Sequence, residues 1–195
     1  TDLSGNEQWN KTFGGTNDDI KGFSVQQTSD GGYIISGGGG KLIKTDGSGN
    51  EQWSQTYGNM YTRFYSVQQT IDGGYITTGI TSITNISMDV YIVKTDENGN
   101  EQWNTTFGDT IGTDEGHSIQ QTSDGGYIIT GRKSVESPII GTNNDLYLIK
   151  TDGNGNEQWN KTFGGTDSER GYSIQQTSDG GYIIAGYTSS FGNGN

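Results

Sequence analysis

The chain has 195 residues, a formal net charge of −12, no Cys and a single Pro. Such acidity repels a phosphate backbone and no basic stripe offsets it, so nucleic acid is not an expected partner; without thiols, disulfides and thiolate metal sites are excluded. No apolar run is long enough to span a membrane.

Only 27% of the residues are hydrophobic, which with this charge falls in the range usually read as disorder. Their distribution argues otherwise. They sit in short runs of Ile, Val, Tyr and Phe separated by Gly, Asn, Asp and Ser, the pattern of many short strands joined by tight turns.

Residues 5–13, GNEQWNKTF, return with small changes at 49–57 and 99–107 and unchanged at 155–163. The four copies hold all the Trp of the chain: Trp9, Trp53, Trp103 and Trp159. A second block, DGGYI, recurs at Asp30, Asp72, Asp124 and Asp179. Self-similarity at a period of 44 to 56 residues marks a repeat architecture.

Within one unit, SIQQT (118–122) predicts strand A, SDGG a hairpin turn in which Asp-Gly suits a two-residue loop, and YIITG (127–131) strand B. After a variable loop, DLYLIKTD (145–152) predicts strand C, and a Gly-Asn turn leads into EQWNKTF (157–163) as strand D. Four-stranded antiparallel meanders in series predict an all-β fold, a β-propeller or part of one. Complete blades are expected at 22–57, 64–107 and 116–163, with the last strand of an incomplete blade at 1–13 and the first two strands of another at 171–195. Edge protection in a propeller needs ring closure, so the chain is expected to continue or to associate to close the ring.

The passage LIKTDGNGNEQW resembles the tryptophan-docking pattern of quinoprotein-like (PQQ-repeat) propellers, in which Ala-x-Asp-x-x-x-Gly-x-x-x-Trp joins the last two strands. Here the first residue differs, and Asp and Gly are one residue closer. The SDGGYI and GNEQW blocks also resemble repeat regions of secreted or surface proteins of archaea and bacteria. The resemblance implies a blade, not the cofactor chemistry, since the adjacent Cys pair and clustered carboxylates of such enzymes are absent from the sequence. No cofactor, no metal and no catalytic residue is expected.

Val25, Val67, Ile119 and Ile174 share one register position of strand A and are expected to pack between blades. Gln26, Gln68, Gln120 and Gln175 then face the other way and are expected to line the channel. The four Trp are read as clamps between blades rather than sugar platforms, each covering the turn before it with its N–H on a carbonyl. Asp2, Asp46, Asp96 and Asp152 are read as Asx-turn caps rather than calcium ligands.

The A–B and C–D turns are uniform, whereas the D–A and B–C loops vary, the longest being Arg132 to Asp145 with Pro138. Binding residues are therefore expected on the D–A/B–C face. The candidates are Asp18, Asp19 and Lys21; Tyr61 and Arg63; Asp114, Glu115 and His117; Arg132, Lys133 and Glu136; Asp167, Glu169 and Arg170. His117 occupies a register position held by Phe23, Tyr65 and Tyr172 elsewhere. Sequons at Asn10, Asn85, Asn104 and Asn160 are candidate glycosylation sites. The expected function is a non-enzymatic scaffold or protein-interaction module, extracellular or on a cell surface, with a protein or glycan partner; a carbohydrate-binding lectin is the alternative and a quinoprotein-type enzyme ranks below it.

Overall fold

The computed structural model describes residues 1–14, 21–84, 87–109, 112–137 and 141–190. Alternation of branched and polar residues between glycine turns produces strands, and all but the two-residue β9 pair with their neighbours in sequence. The first sheet holds β1 (Gly22–Gln27), β2 (Tyr33–Gly37), β3 (Lys41–Thr45) and β4 (Glu51–Thr56) in that order. The second holds β5 (Arg63–Gln69), β6 (Tyr75–Thr84), β7 (Ser87–Thr95) and β8 (Glu101–Phe107), with β9 (Gly112–Thr113) parallel to β7. The third is β10 (Glu115–Gln121), β11 (Tyr127–Ser137), β12 (Gly141–Thr151) and β13 (Glu157–Phe163); β14 (Glu169–Gln176) and β15 (Tyr182–Thr188) form a two-stranded fourth.

Core residues fill the spaces between consecutive sheets. Ile34, Leu42, Phe64, Val67 and Tyr91 pack between the first and second, and Ile76, Ile92, Ile119, Ile129 and Tyr147 between the second and third. Val67, Ile119 and Ile174 are buried as their register requires, whereas Val25 is 64% exposed because no described sheet lies before the first.

The two repeated sequence blocks meet in one joint. Each Trp lies against the following sheet rather than over its own preceding turn: Trp53 covers Gly99 and approaches Tyr75, and Trp103 covers Gly155 and approaches Tyr127, with ring centroids 5.7 and 5.8 Å apart. Gly99 has φ 79° and a Cβ there would come within 3.0 Å of the Trp53 ring, so the turn admits only glycine on both counts. The indole N–H groups have no hydrogen-bond acceptor among the described residues. Residues 1–13 follow the same plan in part, since Trp9 packs on Gly49 and Tyr33. They form no strand, because no described third strand lies beside them to supply a ladder.

Two further expectations change. The DGG hairpin is a three-residue loop: Gly31 N–H donates to Thr28 O, Thr28 N–H donates to Gly32 O, and Gly31 rather than Asp30 takes the positive φ of 84°. The stretch from Arg132 to Asp145 is mostly ladder rather than loop, β11 and β12 pairing from Lys133↔Asp145 to Ser137↔Gly141. Its alternating Lys-Ser-Val-Glu pattern suits an extended hairpin; Pro138 lies outside the described residues.

The Asp of DGG has a second task that the sequence reading missed. Lys44, Lys94 and Lys150 are each 3% exposed, and their ammonium groups bond Asp30, Asp72 and Asp124, the carbonyls of Thr45, Thr95 and Thr151, and the side chains of Gln52, Gln102 and Gln158. Three donors meet three acceptors, which is what a buried ammonium requires. Lys44 in turn holds the Asp30 carboxyl well below its usual range, helped by Thr28 and the Gly32 amide. The second glycine makes room for this: a Cβ on Gly74 would lie 2.1 Å from Thr95 O and 2.7 Å from Lys94 Nζ. Asp46, Asp96 and Asp152 cap their turns, Asp46 Oδ1 accepting from the Ser48 and Asn50 amides and Oδ2 from the Asn50 side chain.

Gly74→Ala is expected to lower unfolding free energy by about 1–3 kcal/mol through overpacking. Gly22→Ala, whose nearest contact would be at 4.0 Å, is expected to stay within about 0.5 kcal/mol. Denaturant titration of the two proteins checks both.

Candidate functional site

Each of the first strands β1, β5, β10 and β14 touches the next in the series. They line one side of the propeller's channel, an open hollow of about 340 Å³ bordered by Gln26, Gln68, Gln120 and Gln175. These glutamines also tie the sheets together. Gln26 Oε1 accepts from the Gln69 amide, Gln68 from Gln121 and Gln120 from Gln176; the second glutamine answers, Gln69 Oε1 accepting from Ser29, Gln121 from Ile71 and Gln176 from Ser123. Inner-strand amides with no neighbouring strand are thus satisfied by side chains of the adjacent sheet.

At the D–A/B–C end of this channel each first strand carries a β-bulge. The register slips between Gly22 and Ser24, Phe64 and Ser66, Gly116 and Ser118, and Gly171 and Ser173. The residue inside each bulge is Phe23, Tyr65, His117 or Tyr172. A bulge re-aims its side chain, and here four of them line up the rings. Phe23 and Tyr65 lie edge to face at 5.2 Å, Tyr65 and His117 at 5.6 Å; His117 stacks on Tyr172 at 5.3 Å, and Tyr172 reaches Tyr187 at 6.1 Å. Phe23, Tyr172 and Tyr187 remain 42%, 52% and 40% exposed. The row is a partly solvated aromatic band at the channel mouth.

Charged groups surround it. Arg132 donates to Glu115 Oε1 at 2.7 Å and to Asn144 at 2.9 Å, while His117 Nε2 lies 2.8 Å from Glu115 Oε2 and its Nδ1 2.9 Å from Gly171 O. Burial works against the Glu115 charge, but His117 and Arg132 prevail and hold its pKa down at about 2. Burial and the Glu115 charge push the Tyr65 hydroxyl up, against an opposing hydrogen bond from Arg63. Arg170 faces Tyr187 across its sheet; its Nε is buried without an acceptor.

Of the residues singled out in the sequence, the fold brings Arg63, Glu115, His117, Arg132 and Arg170 to the mouth. Lys21 is exposed just before β1, and Tyr61 is exposed on the loop before β5. Asp114 and Glu169 are buried braces instead. Asp114 accepts from the Ser134 and Asp109 amides, and Glu169 from Gly165, Thr188 and Ser190. Lys133 bonds Asp109 at 3.1 Å and sits over the Tyr147 ring. Asp167 is exposed on the loop before β14. Asp18, Asp19 and Asn85 lie outside the described residues, as does the Glu136 side chain. Asn10, Asn104 and Asn160 are exposed, each donating to a Glu three residues earlier.

The sequence reading passed over Asp89, which is 6% exposed with Oδ1 unpartnered beside Asp114. Burial, then the charges of Asp114 and Asp109, push its pKa up.

No family model and no curated protein matches the chain. Among solved structures it is similar to a protein of unknown function from Bacteroides caccae, with a TM-score of 0.58 and 16% identity over 86% of this chain and 53% of that one. It is similar also to the WD40 β-propeller domain of Doa1, with a TM-score of 0.58 and 12% identity over 85% of this chain and 47% of that one. The chain thus spans about half the length of the solved chains it matches. The architecture is that of a β-propeller built from four-stranded antiparallel blades. The resemblance to quinoprotein-like repeats holds at that level.

Two carboxylates of this face titrate with opposite consequences for stability. The depressed pKa of Glu115 stabilises the fold above its ordinary 4.5, and that contribution is lost as pH falls toward about 2. Glu115→Gln is expected to have the lower denaturation midpoint at neutral pH, the gap to wild type narrowing over that window. The raised pKa of Asp89 costs stability above its folded value and is relieved as pH falls, so Asp89→Asn is expected to raise the midpoint at neutral pH and to lose its advantage in acid.

Proposed function

We propose that the chain is a non-enzymatic interaction module that works outside the cell or on its surface and docks a protein partner on the D–A/B–C rim. The observation that carries this is the aromatic band at the channel mouth. Polar ties and pairs of a buried Lys with a hairpin Asp hold the rest of each blade, while these rings, aimed by four bulges, stay partly in water. Tyr and Arg on a rigid support are the residue types that dominate protein contacts.

The lectin reading ranks second, and the packing counts against it. The half-buried Trp53 and Trp103 rings lie over glycine turns, and His117 and Tyr172 stack on each other, so one face of each of these rings is already covered. An extracellular setting is supported by the exposed sequons at Asn10, Asn104 and Asn160 on the outer edge, where a glycan would block edge pairing.

Labelled protein applied to intact cells of the source organism tests this. Wild type is expected to bind, binding to disappear after protease treatment of the cells but to survive glycosidase treatment, and a Tyr65→Ser/Tyr172→Ser protein that melts normally to bind about tenfold or more weakly. Binding that survives protease and the double substitution would refute the proposal.

A further inference from the structure

We propose that the channel and its aromatic mouth receive an acidic stretch of the partner polypeptide, a run of Asp or Glu side chains. This rests on the rim being a protein-docking surface. It follows from which groups there lack a partner among the described residues: amide donors of the channel wall, and the cations Lys21, Arg63 and Arg170, which have no ion pair.

The inner wall fixes the first part. Gln26, Gln68 and Gln120 each accept a backbone N–H from the next sheet through Oε1, and this sets the orientation of the amide. Their Nε2 groups have no acceptor among the described residues, and all three side chains line the channel. The wall therefore presents amide donors that call for acceptors from a ligand.

The mouth supplies the second part. The chain has only three Arg, and all three are here: Arg63, Arg132 and Arg170. Arg63 and Arg170 occupy the same register position, two residues before the bulge ring, as does the exposed Lys21. Neither Arg63 nor Arg170 has an ion-pair partner among the described residues, and the buried Nε of Arg170 is unsatisfied. In the third sheet the same position is Glu115, but Arg132 sits on that carboxylate at 2.7 Å. Of the other described acids of this face, Asp109 pairs with Lys133, Asp114 and Glu169 brace loops, Asp89 and Asp145 each keep a buried oxygen without a partner, and Asp167 is exposed without an ion pair among the described residues.

The rings beside these cations stay partly in water, with Phe23, Tyr172 and Tyr187 the most exposed. Guanidinium groups and amide donors together match carboxylates. The overall charge of −12 does not oppose this at short range, because at physiological ionic strength exposed charges are screened beyond about 8 Å.

Fluorescence anisotropy with capped oligoglutamate and oligoglutamine peptides at physiological ionic strength tests the inference. Wild type is expected to bind oligoglutamate and not oligoglutamine. Arg63→Gln/Arg170→Gln is expected to weaken binding about tenfold or more, and Lys11→Gln/Lys161→Gln, which removes the same charge from exposed sites elsewhere, to leave it unchanged. The inference is overturned if oligoglutamate does not bind, if both peptides bind alike, if the lysine control weakens binding as much, or if polygalacturonate binds in place of the peptide. Should oligoglutamate fail while the tyrosine-dependent, protease-sensitive binding to cells persists, the docking rim stands and only the acidic occupant falls. If that cell binding is also absent, the rim reading itself is lost.

Discussion

Everything in this fold depends on how an inner strand copes with its open edge. Each sheet presents a first strand whose outward amides have no neighbouring strand, and a row of such groups is costly in a dry setting and an invitation to aggregation in a wet one. The paired glutamines solve this across sheets. One accepts the amide of the next sheet and the other accepts from the turn of the previous one, so satisfying the edge and fixing the stacking register are the same act.

Farther from the axis one device locks sheet to sheet and another holds each sheet internally. The Trp of one sheet closes over the glycine turn of the next, and the buried Lys of the third strand binds the Asp of the first hairpin. Both use glycine to allow close approach. With these groups fixed on the A–B/C–D face, length and composition are free to vary only at the opposite end, where the bulges, the three Arg and the long β11–β12 hairpin are found. The separation of frame from rim is thus a result of which turns carry the Lys–Asp and Trp–Gly joints.

The strand order was legible because turn chemistry and β-forming runs recur in every unit, and the burial of Val67, Ile119 and Ile174 followed from period two alone. The Gln ties were not legible in the same way. Alternation tells which face a side chain takes but not that its strand is an edge whose amides need partners. Lys44, Lys94 and Lys150 left a signal that could have been used, a charged residue at one fixed place in an otherwise apolar strand of every unit. The bulges were hidden because a one-residue slip leaves no mark in composition, so His117 read as an odd member of an aromatic slot and not as one link in a row of rings. Asp114 and Glu169 looked like surface loop charges because nothing in a single loop shows which amides it must brace.

Amide hydrogen exchange in wild type, Gln68→Ala and Gln120→Ala proteins addresses the stacking directly. The amides of Gln121 and Gln176 should be slow in wild type, with Gln68→Ala releasing Gln121 alone and Gln120→Ala releasing Gln176 alone. If both amides exchange at the rate of an open edge in wild type, or ignore the loss of the glutamine on the preceding sheet, the sheets are not held face to face in the way described.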